Sequence, residues 1–212
     1  MLPLRSAPVP SEPPTEPVLP PANHVIEALM TTRAVRRFSD RPVPDEHVET
    51  CLRAAQQAPS GGNVQPQQYV VLTDADVKAR VADLYRRAFD RYERSLPVPT
   101  EFRDDAHAAS WRRTRDASRH LADHLAEVPV IVVFLQPLIP WTPSDETGTM
   151  DIGRLDASVY PAVQNFCVAA RSLGLGTTLT TVVRIHTAEA GFRNAIPNRP
   201  IGWPTGTSAA TS

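Results

Sequence analysis

The sequence predicts one mixed domain of amphipathic helices and short buried strands, and three observations predict it. Apolar residues recur at helical spacing in Val48, Leu52 and Ala55, and again in Val77, Val81, Leu84, Ala88 and Tyr92, with charge on the other face. Gln68-Tyr69-Val70-Val71-Leu72 and Pro129 to Leu135 are runs of strand length rich in β-branched residues, the second unbroken enough to predict a central strand buried on both faces. Gly174-Leu175-Gly176 follows a helical pattern and precedes a strand-like one, Thr177 to Val183. That is the reverse of the order in which a dinucleotide fold carries its glycines, so a Rossmann reading is unsupported.

Composition bounds the rest. A chain of 212 residues can bury a real core, and a formal net charge of −1 offers no global attraction to nucleic acid or to a membrane surface. The longest apolar run, Val128 to Leu135, is far too short to cross a bilayer, and the N-terminus lacks the pattern of a signal peptide, so the expected location is the cytoplasm. Cys51 and Cys167 fall inside predicted helices among apolar neighbours and read as reduced core thiols.

In chain order, residues 1–22 hold eight prolines and few large apolar side chains, and are expected to be disordered. They fit a plain extension, an over-called start or a polyproline ligand for a partner domain. The folded domain is expected over residues 23–206, with 207–212 as a second short tail. Asn23 is the expected N-cap of a helix from His24 to Thr31 whose buried stripe is Val25, Ile26 and Leu29. Three arginines in five residues follow, Arg33, Arg36 and Arg37, and guanidinium forks of this kind grip phosphate or form a solvated basic turn. Asp45 and Glu46 suit the first turn of the next helix.

That helix ends at Ala58-Pro59-Ser60-Gly61-Gly62-Asn63-Val64-Gln65-Pro66, a hinge into the strand at Gln68. Pro59 stops the helix and the glycines admit positive φ, which suits either an ordinary turn or a concavity for a planar ligand with polar edges. Asn63 and Gln65 each carry donors and an acceptor, as reading a flavin-like carbonyl and imide edge requires. Ser95 to Trp111, with Pro97, Pro99 and Phe102, fits a lid over a pocket or a surface excursion. Arg112, Arg113, Arg115 and Arg119 read as a solvated helix face. His120 and His124 have metal-like spacing but lack a third ligand, so no metal is expected. Gln136 to Ile152 reads as a loop. Leu155 to Leu173 is apolar nearly all round, which implies a helix buried on several sides and shared with a second subunit.

Three of these stretches together resemble the nitroreductase family of FMN-dependent oxidoreductases. They are Arg33-Ala34-Val35-Arg36-Arg37-Phe38, the hinge from Ala58 to Pro66, and Pro161-Ala-Val-Gln164-Asn165-Phe with Ala169-Ala-Arg-Ser-Leu-Gly174-Leu-Gly176-Thr177. The resemblance covers about Val25 to Val183. It implies an α+β fold with a central β-sheet flanked by helices, a homodimer with shared helices, and one FMN at each subunit interface. It places Arg33, Ala34 and Arg36 at the phosphate and ribityl chain, Ser60, Asn63 and Gln65 against the flavin ring, and Thr180 and Thr181 where the following strand contacts the ring. The implied activity is reduction of a small organic acceptor, such as a nitro compound or quinone, by NAD(P)H through alternating hydride transfers on FMN, with no side chain as obligatory acid or base. Dehalogenation, ene reduction, flavin storage, or a dimeric interaction module are the rival uses.

The chain departs from the family pattern in places. Ala34 stands where Ser is usual, and Gln67 where an aromatic commonly follows Gln-Pro. The end also reads as shortened: Ile201-Gly202-Trp203-Pro204 follows Ile196-Pro197 too closely, and Thr207 to Ser212 carries no basic residue for the phosphate.

Overall fold

The computed structural model describes residues 24–136, 143–149 and 155–184. In chain order its elements are α1 (Val25–Thr31), α2 (Asp45–Gln56), β1 (Gln68–Leu72), α3 (Ala75–Ser95), α4 (Asp105–His124), β2 (Ile131–Leu135), a small hairpin of β3 (Ser144–Asp145) and β4 (Gly148–Thr149), and α5 (Tyr160–Ser172). The proline tail before Asn23, and Arg193, Arg199, Ile201 and the residues after them, lie outside the described residues.

Two helical layers enclose a narrow sheet. β1 and β2 pair antiparallel, with Tyr69 opposite Phe134, Val70 opposite Val133 and Leu72 opposite Ile131. Because side chains alternate between the faces of a strand, Val70 and Leu72 turn one way, with Ile131, Val133 and Leu135, onto Val77, Val81 and Leu84 of α3. Tyr69 and Phe134 turn the other way, onto Ala55 and Ala58 at the end of α2 and Ala162 and Phe166 of α5. The small alanines let α2 and α5 approach closely, and Asn165 Nδ2 donates to Ala54 O at 3.2 Å across that contact. A second core joins Ala82, Tyr85 and Phe89 of α3 to Leu121 and Ala122 of α4 and to Leu125 and Val128.

Local chemistry sets the helix ends. Asp74 accepts from Val77 N at 2.9 Å to start α3, and Asp104 accepts from His107 N at 2.7 Å to start α4. Lys78 is buried in α3 but satisfied, its Nζ donating to Val128 O at 2.7 Å and Pro129 O at 3.2 Å. It ties α3 to the approach of β2. Both cysteines are free, and burial together with nearby Cys167 pushes the Cys51 thiol up to about 11.

Several expectations are corrected. His24, not Asn23, caps α1 through its side chain, accepting from Ile26 N at 3.1 Å. Val25, Ile26 and Leu29 are exposed in the single chain, and Ala28 alone of that helix is buried. β2 is half-buried at every position; helices cover both of its faces, but among the described residues β1 is its only partner strand, which leaves an edge open. Thr177 to Val183 forms no strand: Thr177 makes one parallel bridge to Ala34, and Val182–Arg184 is a 3-10 turn. The helix expected from Leu155 is broken into a 3-10 turn, Leu155–Ser158, and α5, with Pro161 in the first turn of α5 where a missing N–H costs nothing. Within α5 the buried residues are Ala162, Val163, Ala170 and Arg171, while Gln164 and Tyr160 stay exposed.

The arginine run of α4 is only partly solvated. Arg112 and Arg113 are exposed, whereas Arg115 and Arg119 reach Glu93 on α3, Arg119 also holding Asp90 at 2.7 Å. Phe102, from the segment expected as a lid or excursion, packs edge-on against Trp111 and His107 at 5.6 Å, folding that segment back on α4. Part of the expected loop after Gln136 is the β3–β4 hairpin, closed by Asp145 Oδ1 accepting from Thr147 N and Oγ1.

Candidate functional site

The hinge between α2 and β1 is held by its own side chains. Ser60 Oγ accepts from Gln65 N at 2.9 Å, Asn63 N donates to Ser60 O at 3.0 Å, and Gly61 N donates to Ser158 Oγ at 3.2 Å, which docks the loop on the turn before α5. Gly62, Asn63 and Gln65 have φ of 58°, 54° and 46°, a left-handed conformation natural to Gly and tolerated by Asn. The backbone donors of Gly61, Asn63, Val64 and Gln65 are thereby used internally, so the loop presents side chains rather than a cradle of N–H groups. Gln65 Nε2 donates to Asn63 Oδ1 at 3.3 Å. That leaves the Ser60 hydroxyl proton and the Asn63 amide as donors and Gln65 Oε1 as an acceptor, on a loop whose Asn63, Val64 and Gln65 are exposed.

A second group of residues assembles elsewhere. The extended segment after α1 pairs with the segment after α5: Ala34 bridges Thr177, and Val35 N donates to Thr177 O at 2.8 Å. Close approach requires Gly176, since a Cβ there would lie 2.9 Å from Val35 Cγ2. Arg33 lines a cavity of ≈ 310 Å³ with Thr31, Thr32, Val35, Arg171, Leu175, Gly176 and Thr177. Arg33 makes no hydrogen bond or ion pair among the described residues, while Arg171 Nε donates to Thr31 Oγ1 at 2.9 Å. Arg36 does not line that cavity. Its charge instead bears on Tyr85 of α3, whose hydroxyl accepts from Thr180 Oγ1 at 3.2 Å. Thr181, next in the chain, is exposed.

The structure thus brings Ala34 to Thr177 and Thr180 to Tyr85, and separately brings Ser60, Asn63 and Gln65 into one loop. It does not bring Arg33 and Arg36 onto one feature. Tyr85 and Ser158 were not singled out in the sequence. The spacing of Tyr85 from Val81 and Phe89 marks it as a core position, but nothing local announces that its hydroxyl meets Thr180. His120 and His124 stack at 4.3 Å, with His120 Nδ1 2.9 Å from Arg37 Nη1 and His124 Nδ1 2.9 Å from Glu127 Oε1; among the described residues no group of metal-ligating side chains forms.

Residues 29–197 match the model of the nitroreductase family. The chain belongs to that family. FMN reductase (NAD(P)H) of Bacillus subtilis is 26% identical over 167 residues, covering 79% of this chain and 57% of the relative. Iodotyrosine deiodinase of Danio rerio is 42% identical over 150 residues, covering 70% of this chain and 47% of the relative. The chain therefore spans about half the length of these curated relatives. The crystal structure of oxidized iodotyrosine deiodinase bound to FMN and 3-iodo-L-tyrosine superposes with a TM-score of 0.58 at 20% identity, covering 80% of this chain and 81% of that one. This last likeness is one of fold. It agrees with the α+β arrangement of a sheet between helical layers, the architecture of this nitroreductase-family chain. No helix among the described residues is long and apolar enough to cross a membrane.

Proposed function

We propose that the chain is an FMN-dependent oxidoreductase that uses NAD(P)H to reduce a small organic acceptor, acting as a homodimer in the cytoplasm. The observation that carries this reading is the set of groups left over in the hinge. The Ser60 hydroxyl and the Asn63 amide keep donors and Gln65 Oε1 keeps an acceptor, the types that an imide edge of acceptor, donor and acceptor calls for. Arg33, free to take an anion at its cavity, and Arg36 three residues on supply cationic ends for a phosphate and a hydroxylated chain. The exposure of Asn63 and Gln65 supports a site completed by a second copy. When bound, FMN supplies the redox chemistry, taking a hydride from NAD(P)H and passing two electrons to the acceptor in the same place. The protein binds and orients it, and no side chain of the hinge needs to move a proton.

A second reading, reductive dehalogenation of a halogenated aromatic, is favoured by the identity to iodotyrosine deiodinase. There two electrons and a proton replace the carbon–halogen bond by carbon–hydrogen, and halide leaves. The test is to load the purified chain with FMN, follow anaerobic bleaching of the flavin by NADH or NADPH, and then add a nitroaromatic, a quinone or a halotyrosine. Reoxidation by the first two with organic product supports the main reading, and halide release supports the second. Bound flavin that no reductant bleaches would leave a flavin-binding protein without turnover, and failure to bind FMN would overturn both readings.

A further inference from the structure

Tyr85 is 3% exposed in the middle of α3, and its ring stacks on Phe89 with centroids 6.1 Å apart. The cluster around it is bordered by Phe38 on one side and by Val182 and Val183 on another. Those border residues belong to the two segments that carry Arg36 and Thr180. Both segments are therefore seated on the same cluster by apolar anchors, and within it the Tyr85 hydroxyl meets Thr180.

We propose that Tyr85 is a positioning residue of the cofactor site, fixing the Thr180 hydroxyl for the ligand. This rests on the reading that Thr180 touches FMN. The hydroxyl proton of Thr180 is spent on Tyr85 at 3.2 Å, so the Thr180 oxygen is held with its lone pairs available to a donor on the ligand. Without the phenol oxygen, Thr180 is free to rotate and to donate instead, and the arrangement has to be ordered when the ligand binds. Burial raises the Tyr85 pKa, so the phenol remains protonated and neutral at working pH. The geometry has a built-in specificity: Phe at this position keeps the ring, the Phe89 contact and the packing, and removes a single oxygen.

The experiment titrates FMN into the apoprotein of wild type, Tyr85→Phe, Thr180→Val and the double variant, reading flavin fluorescence quenching and the visible circular dichroism of the bound flavin. Tyr85→Phe is expected to raise the FMN dissociation constant about 3- to 10-fold, the span of one hydrogen bond, and to change the flavin dichroism. The double variant is expected to bind no more weakly than Thr180→Val alone, because the two residues act as one unit. Equal affinity and an unchanged spectrum in Tyr85→Phe, or strictly additive losses in the double variant, would overturn the proposal while leaving the cofactor reading intact. A wild type that takes up no FMN would overturn the cofactor reading, and the proposal with it.

Discussion

His120 Nδ1 lies 2.9 Å from Arg37 Nη1, and this contact exists only while the imidazole is neutral. A guanidinium has donors alone, so Nδ1 must offer a lone pair. Burial, then the Arg37 charge, then His124 lower the His120 pKa from its ordinary 6.5, with Glu127 and Asp123 opposing. Protons therefore bind the unfolded chain before the folded one. This histidine's share of stability is complete above pH 6.5 and is lost as the pH falls from there toward the depressed folded value. His120→Gln keeps an acceptor for Arg37 but cannot titrate. Urea unfolding between pH 7.5 and 5 is expected to show wild type losing stability relative to His120→Gln below pH 6.5. Parallel curves would remove His120 from the linkage.

Arg119 clasps α3 from α4 more firmly than a surface ion pair does. It reaches Asp90 at 2.7 Å and Glu93 at once, lies 4.8 Å over the Phe89 ring, and is about one-third exposed. Its hydrogen bond is the largest reason that the Glu93 carboxyl is held below its ordinary value. Arg119→Met keeps the apolar stem and removes the fork. With screening allowed for, a loss of about 1–2 kcal/mol is expected at pH 7. The sign of the Glu93 shift makes the difference shrink as the pH falls from 4.5 toward the depressed folded value, because the unfolded carboxyl takes up its proton first. Denaturant unfolding of the two proteins at pH 7 and pH 4 measures both quantities; a difference independent of pH would exclude the Glu93 contact as its source.

Gly176→Ala tests the junction of the two site segments. The added Cβ would sit 2.9 to 3.1 Å from three atoms of Val35, so either Val35 moves or the bridge between Ala34 and Thr177 opens. Overpacking of this kind costs about 1–3 kcal/mol, and thermal unfolding of the apoprotein should show it. Val35→Ala removes the two methyl groups and is expected to restore part of the loss. Gly176→Ala as stable as wild type would show that the junction yields without cost.

What the sequence made legible was local. The β1 run and most of the α3 stripe, Val77, Val81, Leu84 and Ala88, are each set by residues within a few positions of one another and form as read, whereas Tyr92 stays exposed and the hinge turns at Asn63 and Gln65 as well as Gly62. What it hid depended on partners distant in the chain. Charge spacing on α4 cannot reveal that Arg119 faces Asp90 and Glu93 rather than water. The β-branched residues of Thr177 to Val183 favour a strand, but a strand also needs a ladder, and among the described residues Ala34 alone offers a rung. Arg33 and Arg36 look like one phosphate grip in sequence, and only the fold shows that Arg33 lines a cavity whose lining does not include Arg36.

The helical period of α1 was legible as well, but not the surface that it serves. Val25, Ile26 and Met30 are 62%, 55% and 72% exposed, and they stand on a helix that otherwise touches α5. If the chain is the homodimer proposed above, this face is where a second copy gains apolar area. Full burial of one such side chain is worth about 1.5–3 kcal/mol, and a two-fold interface uses each residue twice. Ile26→Asp combined with Met30→Glu replaces that gain by buried carboxylates on both sides. The dimer dissociation constant is expected to rise at least ~100-fold, a loss of about 2.7 kcal/mol or more. Flavin affinity should fall in parallel, because Asn63 and Gln65 are exposed and the proposed dimer completes their site. Sedimentation velocity over a range of concentrations, with and without FMN, measures both. A variant that sediments as wild type does and holds flavin equally well would place the interface away from α1.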